Sequence, residues 1–198
     1  MIVAAADCTG HGVPGAFVSL VGKMLLDRII IEKKVTSPAK ILFLMDEGVQ
    51  ESLSQKGDDL TSQDGMEIAL LHISADRKKV VYSCANRPVL VVRKGELIEF
   101  SSSHFGIGGT YGKLQKNYVE NVIEAQTGDM IFIFSDGYAD QFGVERGRKF
   151  SSKNLKNLLT ETANSKLPEQ KAIISGTFER WKGDIKQIDD VLLIGIRI

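Results

Sequence analysis

Asp7-Cys-Thr-Gly-His-Gly-Val-Pro-Gly15 directly follows the apolar run Ile2-Val-Ala-Ala-Ala6. The pattern predicts a buried strand that ends in a carboxylate, then a glycine loop, then a helix that begins at about Val13. A carboxylate at a strand end can be held rigidly against a cation, and glycines let the backbone approach a phosphate or a metal closely. This stretch therefore indicates a site of chemistry.

A dinucleotide site is one alternative, because Gly10-His-Gly-Val-Pro-Gly15 matches the pattern G-x-G-x-x-G between a strand and a helix. A dinucleotide-binding Rossmann unit needs a second parallel strand after the helix, ending in an acidic residue about 20 residues past the glycines. Here Glu32 falls in the tail of the predicted helix, and a second helix follows. The dinucleotide interpretation is therefore disfavoured.

Two more acidic sites lie at predicted strand ends. The apolar run Met130-Ile-Phe-Ile-Phe-Ser135 stops at Asp136-Gly137, and Asp189-Asp190 precedes Val191-Leu-Leu-Ile-Gly-Ile-Arg-Ile198. Asp-Gly is a common turn, so each site alone is more often structural than catalytic. If the strands are neighbours in one sheet, these carboxylates and Asp7 converge on hard divalent cations, which prefer oxygen ligands.

Six sequence blocks resemble the SpoIIE/RsbU-like branch of the PPM (PP2C-type) metal-dependent serine/threonine phosphatases. They occur in the family's order, extend from near the first residue to the last, and are together highly specific. The blocks are Ala6-Asp-Cys-Thr-Gly-His-Gly-Val-Pro-Gly-Ala-Phe17, Asp64-Gly-Met-Glu-Ile-Ala-Leu70, Ala85-Asn-Arg-Pro88, Phe105-Gly-Ile-Gly108, Ser135-Asp-Gly-Tyr-Ala-Asp-Gln-Phe-Gly143 and Asp189-Asp-Val-Leu-Leu-Ile-Gly-Ile196.

The resemblance implies a phosphatase that acts on phosphoserine or phosphothreonine. It implies that Asp7 bridges two Mn²⁺ or Mg²⁺ ions, that the backbone carbonyl of Cys8 adds a ligand, and that Asp136 and Asp189 are the remaining carboxylate ligands. A water shared by the metals would attack phosphorus in line, so no protein nucleophile is required. The chain agrees, because no Cys-x5-Arg loop surrounds Cys8 or Cys84.

His11 is the histidine nearest to this predicted site, and it is a candidate general acid for the leaving serine oxygen. A histidine in a glycine loop more often fixes the loop by hydrogen bonding, and that alternative is favoured. Asp140 either orients a ligand or caps the turn after its strand. Asn86-Arg87-Pro88 is predicted to shape a turn. The basic cluster of Arg146, Arg148 and Lys149 is a candidate to receive a substrate phosphate or an acidic patch of a partner, and the alternative of a solvated face is favoured.

The predicted elements run as helices, strands, helices and a final strand, which is an α+β arrangement. The first helix is expected over about 13–33, and the second begins at the N-cap pair Ser37-Pro38. Residues 118–125 and 129–135 are predicted to pair as an antiparallel hairpin. The predicted buried stripe of the first helix is Val13, Phe17, Leu20, Val21, Met24 and Ile31.

By resemblance, residues 1–198 form a single domain, a sandwich of two mainly antiparallel sheets flanked by helices. Family members carry additional strands before the strand that ends at Asp7, and we expect these strands to be missing here. We also expect the domain to be the C-terminal output part of a longer signalling protein. An uncovered sheet edge or apolar helix face then predicts a homodimer.

Composition limits the partners. The 198 residues are 43% hydrophobic, and Lys+Arg and Asp+Glu both number 25, so nothing favours nucleic acid or direct membrane contact. Two cysteines fit a reducing cytoplasm, and the expected location is cytoplasmic, including as the cytosolic part of a membrane-bound sensor. No apolar run approaches the ~20 residues of a membrane span.

The expected partners are a phosphorylated protein substrate and an upstream sensor or regulatory domain. In the resembled family the substrates are often anti-sigma-factor antagonists in bacterial signalling. The alternative from another class is a catalytically weak or inactive relative that keeps the fold and acts as a protein-interaction module.

Overall fold

The structure is a computed structural model that describes residues 1–10, 12–55, 64–101, 103–109, 116–144 and 147–198. These residues form two compact units. The first comprises Met1–Val89 and Ser101–Ala125, and the second comprises Leu90–Phe100 and Gln126–Ile198. Each unit has its own β-sheet, its own helices and its own hydrophobic core.

The helices and strands follow one another in a simple order. They are β1 (Ile2–Cys8), α1 (Gly12–Leu26) with a π-helical continuation (Asp27–Glu32), α2 (Pro38–Ser52), β2 (Gly65–Ile73), β3 (Lys79–Ala85), β4 (Val89–Arg93), β5 (Glu96–Phe100), β6 (Ile107–Gly108), β7 (Asn121–Glu124), β8 (Met130–Phe134), α3 (Gly137–Asp140), α4 (Ser152–Thr162), α5 (Leu167–Lys182) and β9 (Leu193–Arg197).

The first unit is built on an antiparallel sheet with the strand order β1-β2-β3-β7, and β6 also pairs with β2. The register places Asp7 opposite Glu67 across β1 and β2. Helix α2 begins as predicted, because the Ser37 side chain accepts a hydrogen bond from the Lys40 N–H. The core of this unit contains Val18, Ile29, Ile41, Leu42, Met45, Val49, Met66, Ile68, Leu70, Ala85, Ile107 and Tyr118.

The predicted buried stripe on α1 is wrong. Only Val21 of that set packs against the core, while the other five residues are more than half exposed. The buried face instead carries Gly15, Val18 and Gly22. A Cβ at Gly22 would lie 2.5 Å from the Met66 methyl group, so the helix packs closely through a residue with no side chain. Hydrophobic periodicity cannot detect such a face, since it follows apolar side chains.

The second unit is built on a sheet with the strand order β5-β4-β8-β9. The hairpin from β4 to β5 turns at Lys94-Gly95, and both residues have positive φ. Helix α4 begins after Ser151, whose side chain accepts a hydrogen bond from the Asn154 N–H. The core contains Leu90, Val92, Met130, Phe132, Phe134, Tyr138, Ala139, Phe150, Leu155, Leu159, Ala163, Ile174 and Phe178.

The predicted hairpin between residues 118–125 and 129–135 is also wrong. Strand β7 pairs with β3 in the first unit, whereas β8 pairs with β4 and β9 in the second. Every residue of β8 is buried, which suits a central strand, while β7 buries only Ile123 and lies at a sheet edge. The strand pairing therefore follows burial, since β8 pairs with strands that cover it on both sides. A local turn still forms before β8, where the Asp129 N–H donates to the Gln126 carbonyl.

The predicted α+β class, with two antiparallel sheets and flanking helices, is confirmed. The polar, glycine-punctuated residues 54–65 are predicted from the sequence to form an exposed loop, and they lie largely outside the described residues. None of the helices in the described ranges combines the length and apolar content needed to cross a bilayer.

Candidate active site

The first unit places Asp7 at the end of β1, directly opposite Glu67 of β2. Arg87 lies between the two carboxylates. Its Nη2 is 3.1 Å from Asp7 Oδ2, and its Nε is 2.6 Å from Glu67 Oε2. Asn86 donates a side-chain hydrogen bond to the other Glu67 oxygen. The strand-end carboxylate predicted from sequence is thus held in a network of charged and polar side chains.

The loop after Asp7 is fixed to the start of β2. The Thr9 N–H donates to the Gly65 carbonyl at 2.9 Å, and the Gly65 N–H donates to Thr9 Oγ1 at 2.8 Å. Gly10 has φ +81°, and a Cβ at Gly15 would lie 2.7 Å from the Gly10 carbonyl oxygen. The glycines therefore allow a close loop, as the sequence predicts. His11 lies outside the described residues, and its candidate role stays a prediction.

Neither cysteine has the chemistry of a nucleophile. Burial raises the pKa of the Cys8 thiol, and it raises the pKa of Cys84 to about 12. Both thiols therefore stay protonated at neutral pH, whereas the thiolate is the nucleophilic form. A mechanism through a cysteinyl-phosphate intermediate is disfavoured.

The second unit brings the Asp136-Gly137 turn against the backbone of Asp189-Asp190. A Cβ at Gly137 would lie 2.4 Å from the Asp190 carbonyl oxygen, so this approach requires glycine. Ser135 ties the two segments together, because its hydroxyl donates to the Asp190 carbonyl at 2.8 Å and accepts from the Leu192 N–H at 2.9 Å. Two of the predicted acidic sites are therefore neighbours within one unit.

Asp189 is exposed, and its Oδ1 accepts a hydrogen bond from the Asp190 N–H at 2.8 Å. Asp140 forms an ion pair with Lys149, with Oδ2 and Nζ 2.8 Å apart. The hydrogen bond that Lys149 donates to the Asp140 carboxylate raises the pKa of Lys149. Lys149 is therefore occupied by a carboxylate of its own unit, while Arg146 lies outside the described residues.

Within the described ranges, no group of three or more His, Cys, Asp or Glu side chains is arranged to hold a metal ion. The donor chemistry nevertheless fits hard divalent cations. Asp136 and Asp189 offer carboxylate oxygens on two segments in direct contact, and the missing Cβ of Gly137 leaves room for that contact.

Sequence reasoning missed Arg87 and Glu67 as members of the site. The register of β1 on β2, which sets Glu67 beside Asp7, becomes visible only in three dimensions. One signal was present in the sequence: both residues lie inside blocks that carry the family resemblance, Asp64 to Leu70 and Ala85 to Pro88.

The two antiparallel sheets with their helices match the fold of PP2C phosphatase domains. The SiaA-PP2C domain of Pseudomonas aeruginosa is 25% identical, with a TM-score of 0.87 over 100% of this chain and 75% of that one. The PP2C phosphatase domain of Bacillus subtilis SpoIIE, solved with a fragment of its regulatory domain, is 15% identical, with a TM-score of 0.72 over 100% of this chain and 54% of that one.

The catalytic domain of the serine/threonine phosphatase PstP, solved in complex with two manganese ions, is 14% identical, with a TM-score of 0.65 over 98% of this chain and 86% of that one. Likenesses at 14–15% identity show the fold alone. No curated protein matches the chain significantly. The family model described as Stage II sporulation protein E (SpoIIE) matches residues 1–198, and the chain belongs to that family.

Proposed function

We propose that this chain is a metal-dependent protein phosphatase domain that hydrolyses phosphoserine or phosphothreonine on a partner protein. The observation that carries the proposal is the contact of the Asp136-Gly137 turn with Asp189-Asp190, which leaves no room for a side chain at residue 137. Membership of the SpoIIE family and the PP2C fold support it.

In this proposal Asp7, Asp136, Asp189 and the backbone carbonyl of Cys8 hold two Mn²⁺ or Mg²⁺ ions. The manganese-bound PstP structure supports this choice of metal. When bound, such ions neutralise charge on the phosphoryl group and lower the pKa of the attacking water. Arg87 holds the Asp7 carboxylate, and Ser135 holds the backbone beside Asp189. His11 stays a candidate general acid for the leaving serine oxygen.

The proposed substrate is a small phosphorylated regulatory protein of the anti-sigma-factor antagonist type, and the proposed input is an upstream sensor or regulatory domain in the cytoplasm. The SpoIIE relative was solved with part of a regulatory domain, which supports the idea of a regulated output domain.

An interaction module without catalysis is the second candidate function, and one observation favours it. Helix α1 exposes apolar side chains on successive turns, including Phe17 at 61% and Met24 at 62%. Large exposed apolar patches mark interaction surfaces. An exposed apolar helix is compatible with a phosphatase and with an interaction module. Only the phosphatase requires metal ions, so the test measures the response to a metal.

The test measures the melting temperature and the hydrolysis of a phosphoserine peptide with and without Mn²⁺. Mn²⁺ is expected to raise the melting temperature, because carboxylates that share a metal site repel one another until a cation occupies it. Asp7→Asn is expected to abolish most of that rise, and Asp136→Asn or Asp189→Asn to lower the rate by several orders of magnitude. Asp184→Asn, in an exposed position outside the site, is the matched control.

Hydrolysis that persists in Asp136→Asn and Asp189→Asn would refute the proposed mechanism. A parent chain whose stability does not respond to Mn²⁺ would refute the metal assignment and favour the interaction module. An equal loss in Asp184→Asn would show that any change of charge in the chain has the same effect.

A further inference from the structure

Arg87 connects the strand-end carboxylate to a second carboxylate that the proposed mechanism does not use. The side chain of Arg87 is 12% exposed and contacts Asp7 through Nη2 and Glu67 through Nε. Different nitrogens of one planar guanidinium thus reach different strands. Nη2 donates a hydrogen bond to Asp7, whereas the contact of Nε with Glu67 is an ion pair without hydrogen-bond geometry. The planar guanidinium sets the direction of the hydrogen bond to Asp7, which a lysine ammonium cannot do in the same way.

Glu67 has its own support. Asn86 donates a side-chain hydrogen bond to Glu67 Oε1, while Oε2 pairs with Arg87. Asn86 adopts a left-handed conformation with φ 58°, which asparagine tolerates better than most residues. The turn at residues 86–88 therefore does more than reverse the chain, because it presents Asn86 and Arg87 to the same glutamate.

Asp7, Glu67 and Arg87 form a cluster with two negative charges and one positive charge. Asp7 and Glu67 are directly opposite in an antiparallel ladder, where two like charges destabilise the pairing. Arg87 relieves the repulsion between them. Asp7, Arg87 and Glu67 together carry one negative charge, so the site keeps its attraction for a cation. Without Glu67, Arg87 would cancel the charge of Asp7.

We propose that Arg87, anchored by Glu67, is a positioning residue that orients the Asp7 carboxylate for metal binding, and that Glu67 offsets its charge. This inference rests on the proposed function. Partners outside the ligand shell typically change metal affinity by about 10- to 100-fold. We expect the same scale here, because Arg87 contacts an oxygen of the proposed ligand itself.

Another arginine of the chain provides a matched comparison. In the second unit, Arg93 binds Asp129 through two nitrogens, at 2.9 and 2.6 Å, and the Asp129 side chain is 2% exposed. Asp129 also accepts from the Gln126 N–H, which fixes the turn before β8. Arg93 therefore holds a turn together, whereas Arg87 holds a residue proposed to bind metal.

The decisive variant is the double substitution Glu67→Gln with Arg87→Gln. It removes one negative and one positive charge, so the net charge around Asp7 stays the same while the orienting guanidinium is lost. Titration calorimetry with Mn²⁺ measures the affinity, and circular dichroism verifies folding. We expect the double variant to bind Mn²⁺ about 10-fold or more weakly.

Two further variants separate charge from geometry. Arg87→Lys keeps the charge but loses the planar fork, and it is expected to bind Mn²⁺ more weakly than the parent even if the double variant does not fold. The control pair Arg93→Gln with Asp129→Asn is also neutral in net charge. It is expected to lower the melting temperature and leave the Mn²⁺ affinity within about twofold of the parent, since Arg93 and Asp129 are committed to each other and to the turn before β8.

The outcomes distinguish this inference from the proposed function. If the parent does not bind Mn²⁺, or Asp7→Asn binds it equally well, the metal assignment and this inference both fail. If Asp7→Asn loses binding while the double variant or Arg87→Lys retains the affinity of the parent, only the positioning role of Arg87 is overturned. A loss of affinity in the control pair as large as in the double variant would also overturn it.

Discussion

Replacing Gly137 with alanine tests how the acidic segments of the second unit are held together. The added Cβ would lie 2.4 Å from the Asp190 carbonyl oxygen and 2.9 Å from its carbonyl carbon. Both atoms belong to the backbone, so no side-chain rotation can relieve the overlap. Alanine therefore forces the Asp136-Gly137 turn away from Asp189-Asp190.

The size of the displacement follows from contact distances. A carbon and a carbonyl oxygen normally approach to about 3.3 Å, so the backbone must shift by about 1 Å. The hydrogen bonds of Ser135 to Asp190 and Leu192 oppose this shift. Overpacking of this kind costs about 1–3 kcal/mol, and each kilocalorie lowers the melting temperature of a chain of this size by roughly 2–4 °C.

The effect on catalysis is expected to be larger than the effect on stability. A misplacement of about 1 Å at a catalytic group can reduce a rate by about 100-fold. The assay is Mn²⁺-dependent hydrolysis of p-nitrophenyl phosphate at a temperature where circular dichroism shows a folded chain. The Mn²⁺ affinity from calorimetry is expected to fall with the rate, because Asp136 and Asp189 are both proposed ligands.

Gly176→Ala is the matched control. Its Cβ would meet only the end of the Arg180 side chain, at 3.2 Å, and alanine stabilises a helix relative to glycine by about 1 kcal/mol. The control is therefore expected to keep full activity and an equal or higher melting temperature. A Gly137→Ala variant with unchanged stability, rate and Mn²⁺ affinity would refute the steric reasoning.

Three other predictions concern the rest of the chain. Cys8→Ala and Cys84→Ala are expected to hydrolyse p-nitrophenyl phosphate within about twofold of the parent per folded molecule, because burial raises the pKa of both thiols. Burial raises the pKa of Asp129, but hydrogen bonds outweigh it and bring the pKa below 3.8. Asp129→Asn is therefore expected to lower the melting temperature at pH 7, and the difference from the parent to shrink as the pH falls below 3.8. The exposed stripe of α1 is expected to make the chain a dimer by light scattering, and the joint change Phe17→Glu and Met24→Glu to make it a monomer; a monomeric parent would contradict this.

The fold class and most elements were predictable because local signals determine them. The cap at Ser37-Pro38 marks the start of α2, and the apolar run at Met130 to Phe134 marks a buried strand. The turn at Lys94-Gly95 marks a hairpin, since both residues need positive φ. Each of these signals lies within a few residues of the structure that it predicts.

The errors arose where partners far apart in sequence decide the outcome. Periodicity identified the apolar stripe of α1 but not the face that packs, because the buried face uses Gly15 and Gly22. The turn before β8 suggested a hairpin, yet β8 is buried throughout and pairs with β4 and β9 instead. A local turn signal carries no information about which strands complete a sheet.

The residues of the candidate site also differ in whether a local sequence signal marks them. Asp7, Asp136 and Asp189 are candidates from the sequence because Asp7 and Asp136 end apolar runs and Asp189-Asp190 precedes one. Arg87 and Glu67 were not assigned a role, because their connection depends on the register of β2 against β1 and on the reach of a side chain from residue 87.

The two units hold their acidic residues by different physical means. In the second unit the constraint is steric, since the absence of a side chain at Gly137 allows two backbone segments to touch. In the first unit the constraint is electrostatic, since Arg87 joins two carboxylates that would otherwise repel. Substitutions that add volume are therefore expected to disturb Asp136 and Asp189, whereas substitutions that change charge at constant volume are expected to disturb Asp7. Gly137→Ala adds volume without altering charge, whereas the double variant at Glu67 and Arg87 removes the ion pairs of Arg87 at constant net charge, so the two variants perturb the two constraints separately.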